Sequence, residues 1–121
     1  MKFKNTDHKE RYEKILARMK KQDPYHKSAA YLMALAELVP SDVFDFENDF
    51  IRHEGLYKAW QTGSSRKATR LMFNLWNGCY EDKAADKPEE TSYYYAVDEI
   101  FCNHEYAPYF YEAIRIRFEW I

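Results

Sequence analysis

The segment AWQTGSSRKATRLMFNLWNG, residues 59–78, decides the fold class because it contains one complete amphipathic helix. Its apolar residues recur at the three- and four-residue spacing of a helical face, and Gly78 follows in the position that commonly ends a helix. The pattern predicts a central helix that begins at Ser64 or Ser65 and ends at Asn77. The predicted core face consists of Ala68, Leu71, Met72 and Leu75, widened by Phe73 and Trp76.

The start of this helix is also a candidate binding site. A glycine turn, two hydroxyls and basic side chains one helical turn apart are groups that bind an oxyanion. The candidate residues are Ser64, Ser65, Arg66, Lys67 and Arg70. The same residues also fit a simple structural role, in which the serines cap the helix and the arginines pair with the acidic segment 42–54.

Helical patterns cover most of the remaining chain. A first helix is predicted from Asn5 or Asp7, with an apolar face at positions 12, 15, 16 and 19. Asp23-Pro24 predicts the start of a second helix that ends at Pro40. Shorter helices are predicted at residues 41–44 and 98–102, and a last one begins at Pro108.

Between these helices, residues 81–90 (EDKAADKPEE) show no apolar periodicity and predict a solvated loop. The C-terminal Trp120-Ile121 predicts that this end of the chain is docked. The predicted fold is therefore all-α: one compact domain over residues 1–121, a bundle of about five to seven helices, several of them short.

Composition restricts the function classes. Aromatic residues make up 18% of the 121 residues, which predicts a packed globule rather than a disordered chain. The net charge of −2 is unlike that of a strongly basic nucleic-acid-binding protein. Two cysteines, a charged N-terminus and the lack of a long apolar run predict a cytoplasmic protein that makes no membrane contact.

Four segments together resemble an uncharacterised family of small proteins from Gram-positive bacteria, their prophages and integrative elements. These are DPYHKSAAYL, VFDFEND, KAWQTGSSRKATRLMFNLWNG and VDEIFC with YAPYFYEAIRIRF. The resemblance implies no catalytic residue, because the family has no established activity. It implies a genomic setting in which small proteins inhibit host defences, regulate transfer or control gene expression.

Motifs for catalysis and metal binding are incomplete in this sequence. Cys79, Cys102 and His104 lack the ligand spacing of a zinc site, and His53-Glu54 lacks the second histidine of a metalloprotease motif. Ser64 and Cys79 lack the glycine-rich surroundings of a hydrolase nucleophile. We therefore expect neither an enzyme nor a bound metal or cofactor.

Tyrosine clusters form a second candidate surface. Tyrosine is enriched in recognition surfaces because it buries a large area at low entropic cost. The candidates are Tyr93, Tyr94, Tyr95, Tyr106 and Tyr109. At least one tyrosine of the consecutive run is expected to be exposed, because three neighbours on a helix cannot all face one core. The structural alternative is that these rings cover the ends of short helices.

Two functions follow as hypotheses. The first is a non-catalytic protein-interaction module, specifically a mobile-element-encoded inhibitor of a bacterial defence complex, similar in role to an anti-CRISPR protein. The partner would be a protein, including one that is itself bound to nucleic acid. The alternative is a helical protein that binds nucleic acid directly through its local basic face. The sequence does not determine the oligomeric state.

Overall fold

A computed structural model describes residues 1–102 and 104–119, and the predicted docking of Trp120-Ile121 lies outside them. The described residues form six α-helices: α1 (Thr6–Arg18), α2 (Pro24–Leu35), α3 (Pro40–Val43), α4 (Gly63–Asn77), α5 (Val97–Phe101) and α6 (Ala107–Phe118). Three 3-10 segments join them, at His53–Tyr57, Pro88–Glu90 and Ser92–Tyr95. The predicted all-α bundle with several short helices is confirmed.

Helix α2 is the centre of the bundle. It packs against α1, α4 and α6, and almost every residue after its first turn is buried. A helix that is apolar on all sides is stable only where neighbours surround it. It begins as predicted, with Asp23 accepting a hydrogen bond from the His26 backbone and Pro24 in the first position.

The end of α2 differs from the prediction. The helix stops at Leu35 rather than at Pro40, because Glu37 takes a left-handed conformation (φ 52°). The Leu38 N–H then donates to the Met33 carbonyl at 3.0 Å, the long bond of a Schellman motif, and Leu38 turns into the core. This stop sets the path of the chain toward α3.

A small β-hairpin, which was not predicted, replaces part of the acidic segment. Strands β1 (Phe44–Asp45) and β2 (Phe50–Ile51) pair antiparallel, and Phe44 lies opposite Ile51. The Asp45 carboxylate accepts the backbone N–H groups of Glu47 and Asn48, which fixes the turn. The segment is therefore a folded turn rather than a free acidic face.

Helix α4 confirms the predicted end at Gly78, which is left-handed with φ 78°. It begins at Gly63, one or two residues earlier than predicted, because Thr62 is the N-cap. The predicted face of Ala68, Leu71, Met72 and Leu75 is buried, and so is Phe73, while Trp76 is half-buried. This helix carries the start of the candidate site.

Candidate binding site

The two serines in the first turn of α4 have different roles. Ser65 is buried and completes a capping box with Thr62, each side chain bonding the other residue's backbone N–H. Its hydroxyl also donates to Gln61 Oε1 at 2.5 Å. Ser65 is thus committed to the cap, whereas Ser64 is half-buried and contacts the C-terminal part of the chain.

Arg70 lies inside the protein and binds Asp82 through two parallel hydrogen bonds. Its Nε and Nη2 donate to the two Asp82 oxygens at 3.1 and 2.9 Å. The prediction that the helix arginines pair with the acidic segment 42–54 is wrong for Arg70, because the hairpin uses that segment and Asp82 takes this cation. The prediction that residues 81–90 are fully solvated is wrong at Asp82, which is only 2% exposed.

Two tyrosine hydroxyls also donate hydrogen bonds to the Asp82 carboxylate. Tyr95 Oη donates to Oδ1 and Tyr57 Oη donates to Oδ2, each at 2.8 Å. Burial raises the pKa of the Asp82 carboxyl, but the hydrogen bonds from Arg70, Tyr57 and Tyr95 outweigh burial and hold it below its usual range. Asp82 therefore stays ionised, and all four lone-pair positions are occupied.

A cavity of about 490 Å³ opens above this cluster. Its walls come from α4, the 3-10 segment His53–Tyr57 and the region 82–99. The lining residues are Tyr57, Gly63, Arg66, Lys67, Arg70, Asp82, Thr91, Tyr94 and Glu99. The structure thus brings together Arg66, Lys67 and Tyr94 from the sequence-predicted set, with Arg70 in the floor.

Arg66 and Lys67 are held in the cavity wall by neutral groups. Arg66 Nε donates to the Leu56 carbonyl at 3.3 Å, and Lys67 Nζ donates to the Glu99 carbonyl. Within residues 1–102 and 104–119 neither side chain forms an ion pair. Neither charge is therefore neutralised by an ion pair with these residues.

The three consecutive tyrosines have three different positions. Tyr95 is buried against Asp82. Tyr94 covers the Arg70 guanidinium, whose carbon lies 4.2 Å from the centroid of the Tyr94 ring. Tyr93 is 57% exposed and its ring lies on that of Tyr94, with centroids 4.0 Å apart. The expectation that at least one of them is exposed is confirmed.

Tyr106 and Tyr109 do not join the cavity. Both are half-buried near the N-terminus, where Lys4 lies over the Tyr106 ring and Lys2 over the Tyr109 ring. Both rings therefore contact lysines of the segment that precedes α1. The structure separates the predicted tyrosine set into a cavity group and an N-terminal group.

Ser64 and His104 form a hydroxyl–imidazole pair with the wrong geometry for nucleophile activation. His104 Nε2 lies 2.8 Å from Ser64 Oγ, while His104 Nδ1 accepts the Tyr106 N–H at 3.0 Å. Burial and the neighbouring Lys67 lower the pKa of His104, which favours the neutral ring. Since Nδ1 is the acceptor, the proton sits on Nε2 and points at the hydroxyl, so His104 cannot accept the serine proton.

No three His, Cys, Asp or Glu side chains of the described residues lie close enough together to hold a metal ion, and of the two cysteines Cys79 is buried and Cys102 exposed. None of the described helices combines the length and apolar character needed to cross a bilayer.

Sequence comparison places the chain in a family. A profile for a family of unknown function (DUF6075) matches residues 1–120. The chain belongs to this family. No curated protein and no solved structure matches it. The resemblance to an uncharacterised family is therefore confirmed, and the function rests on the geometry of the site.

Sequence reasoning missed Asp82, Tyr57, Thr91 and Glu99. Asp82 sits in a charged segment whose only visible pattern is that of a solvated loop. Tyr57 is an isolated aromatic residue, 25 positions from the carboxylate that it contacts. No local pattern distinguishes such residues, since their roles depend on which side chains the fold places opposite them.

Proposed function

We propose that this protein is a non-catalytic protein-interaction module. Its contact surface is the tyrosine–basic surface, defined as Tyr57, Tyr93, Tyr94, Arg66 and Lys67. The observation that carries the proposal is the exposed Tyr93 ring, which lies against the Tyr94 ring of a cavity where Arg66 and Lys67 form no ion pair with any described residue. Tyrosine and arginine are the residue types that dominate binding energy at protein interfaces.

The aromatic rings of the tyrosine–basic surface are held in place by neighbouring side chains, which lowers the entropic cost of binding. Tyr94 is fixed on Arg70, which is fixed by Asp82, and the Tyr57 hydroxyl is fixed by the same carboxylate. Aromatic rings that are ordered before the partner arrives lose little conformational entropy on association. The buried Arg70–Asp82 pair thus acts as a support beneath the exposed rings.

The proposed partner is a bacterial defence complex, in the manner of an anti-CRISPR protein. The support for this part is the resemblance to small proteins of prophages and integrative elements, a setting in which such inhibitors occur. An inhibitor of this kind blocks a partner by occupying it, so it needs a contact surface and no chemistry. The tautomer of His104 next to Ser64, and a Tyr57 pKa raised to about 12 by burial and the Asp82 bond, support a role without catalysis.

A second candidate is direct nucleic-acid binding. Arg66 and Lys67, which form no ion pair with the part of the chain that the structure describes, favour it together with the neighbouring Tyr93 and Tyr94 rings. Arg70 is not available for phosphate contacts, because Asp82 neutralises it. If nucleic acid is the partner, affinity for a single-stranded oligonucleotide should fall steeply with salt and be lost in the Arg66→Glu variant. A signal that is absent or insensitive to salt removes this candidate.

The protein-interaction proposal is tested by site-specific photocrosslinking in bacterial cells. A photoreactive amino acid replaces Tyr93 in one strain and Tyr111 in another; Tyr111 is equally exposed (58%) but lies on α6 and lines no part of the cavity. We expect one abundant protein to crosslink at position 93 and not at position 111. Equal labelling at both positions would contradict the proposed surface.

The defence proposal is tested by plasmid interference in a strain with one defined CRISPR effector. Expression of the wild-type protein should restore transformation by a targeted plasmid, and the Tyr93→Ala variant should lose about tenfold of that rescue. The Tyr111→Ala variant is the matched control and should rescue fully. If no rescue occurs while the position-93 crosslink identifies another protein, the interaction module stands and the defence role is rejected.

A further inference from the structure

The lining of the cavity behind the tyrosine–basic surface holds three cations and two carboxylates, so it carries a net positive charge. Arg66 and Lys67 are held by carbonyl oxygens, which orient a cation without neutralising it. Asp82 cannot serve them, because each of its oxygens already accepts two hydrogen bonds. Among the described residues no carboxylate, that of Glu99 in the lining included, forms an ion pair with either cation. One further anionic group would balance the charge of this lining.

The position of Arg66 and Lys67 near the start of α4 adds to the positive potential of the cavity. Helix first turns favour acidic residues, since unsatisfied N–H groups give that end a partial positive charge. The first turn of α4 holds no acidic residue, and Arg66 and Lys67 follow it directly. An anion in the cavity would relieve the repulsion between these side chains and the helix end.

The surroundings of the cavity limit the size of that anion. The region 81–99 forms one wall, and its exposed acidic residues outnumber its exposed lysines. The exposed acidic residues are Asp86, Glu89, Glu90, Asp98 and Glu99. A phosphodiester strand carries a charge at every nucleotide and is repelled by this acidic region along its length, whereas a single carboxylate is repelled mainly by Glu99, the one of these residues in the cavity lining.

We propose that the cavity binds the carboxylate of an acidic side chain that the protein partner inserts between Arg66 and Lys67. The inference rests on the proposed function, because it names the chemistry of the partner's anchoring residue. The guanidinium of Arg66 matches a carboxylate in shape and charge. Tyr57 and Tyr94 flank the carbon chain that carries the carboxylate, since both line the same cavity.

The test uses the protein alone, so it is independent of whether a partner is found. N-acetylglutamate amide is titrated into the ¹⁵N-labelled protein at constant ionic strength, and backbone amide shifts are followed by NMR. N-acetylglutamine amide is the neutral control of equal shape. We expect saturable shifts at Gly63, Arg66 and Lys67 with the glutamate compound, and none there with the glutamine compound.

Variants assign the binding to this cavity. Arg66→Gln should weaken the affinity by about fivefold or more, while Arg66→Lys, which keeps the charge but loses the planar guanidinium, should weaken it less than Arg66→Gln does. Lys14→Gln makes the same charge change on the exposed face of α1, outside the cavity lining, and should have no effect. The amide spectrum of each variant shows whether it is folded.

Three results would overturn the inference: equal shifts with the glutamine compound, no loss in Arg66→Gln, or a ten-nucleotide thymidine oligomer shifting the same amides at lower concentration. A failed titration with an intact position-93 crosslink rejects the anchoring carboxylate and keeps the interaction module. A successful titration in a protein whose crosslinked partner binds equally well to Arg66→Gln also rejects the anchor.

Discussion

Replacing Asp82 by asparagine tests whether the buried cluster holds the site together. The substitution keeps the size of the side chain and removes its charge, so the effect comes from electrostatics and hydrogen bonds. In the native protein the Asp82 side chain is 1% exposed and the Arg70 side chain 11% exposed. Neither side chain has enough access to water to compensate for a lost partner.

The magnitude follows from the bonds that are lost. Removing one member of a buried ion pair costs about 3–5 kcal/mol, because the remaining charge stays buried without a partner. Asparagine keeps one carbonyl oxygen for Arg70, and a tyrosine hydroxyl can turn to accept its amide N–H. We therefore expect the lower end of the range, a loss of about 3 kcal/mol in the free energy of unfolding.

Urea unfolding followed by tryptophan fluorescence measures this loss. For a protein of this size an m-value of about 1.5 kcal/mol/M converts it into a midpoint about 2 M lower. Asp86→Asn makes the same chemical change at an exposed position in the same loop and should stay within about 0.5 kcal/mol of wild type. If Asp82→Asn also falls within about 1 kcal/mol of that control, the reasoning about the buried pair is wrong.

The pH dependence gives a second readout with a defined sign. Because the native pKa of Asp82 lies below its usual range, its contribution to stability is present above the unfolded-state pKa and is lost as the pH falls through the native one. The stability difference between wild type and Asp82→Asn should be constant from about pH 5 to 8 and should shrink below about pH 4. A difference that grows on acidification would contradict this account.

Three further variants test other parts of the fold. Gly55→Ala should cost at least about 2 kcal/mol in urea unfolding, because a Cβ there would collide with a backbone carbonyl of α3. Gly63→Ala is its matched control and should stabilise the protein by about 0.5 kcal/mol, since nothing lies within 4 Å of the added methyl group. His26 places its ring nitrogens 2.6 and 2.7 Å from carboxylate oxygens of Asp23 and Asp49, so His26→Leu should cost about 2 kcal/mol. The same variant should raise the pKa of Asp23 in a carboxyl NMR titration: burial raises that pKa in the native protein, but the hydrogen bonds from His26 hold it below its usual range.

How far the fold could be predicted depends on how local each signal is. The start of α2 at Asp23-Pro24 and the end of α4 at Gly78 were predicted correctly, because caps act through residues within one helical turn. The end of α2 was not predicted correctly, because Leu38 turns back and is buried in the core. The hairpin was not predicted, because strands of two residues are too short to show the alternation of apolar and polar residues that identifies a strand.

The helical class, the central amphipathic helix, and the basic and tyrosine residues beside its start could all be identified from the sequence alone. Periodicity and capping are properties of neighbouring residues, and they need no knowledge of the rest of the chain. Which of those residues reach the surface depends on the tertiary structure. Arg70 and Tyr95 turn inward because Asp82, at least 12 positions from either, lies opposite them. Arg66 and Lys67 line the cavity and form no ion pair with any described residue, and Tyr93 stays exposed. Whether a charged side chain forms an ion pair depends on which side chain the fold places opposite it. Residues that are distant in the sequence come into contact only when the chain folds.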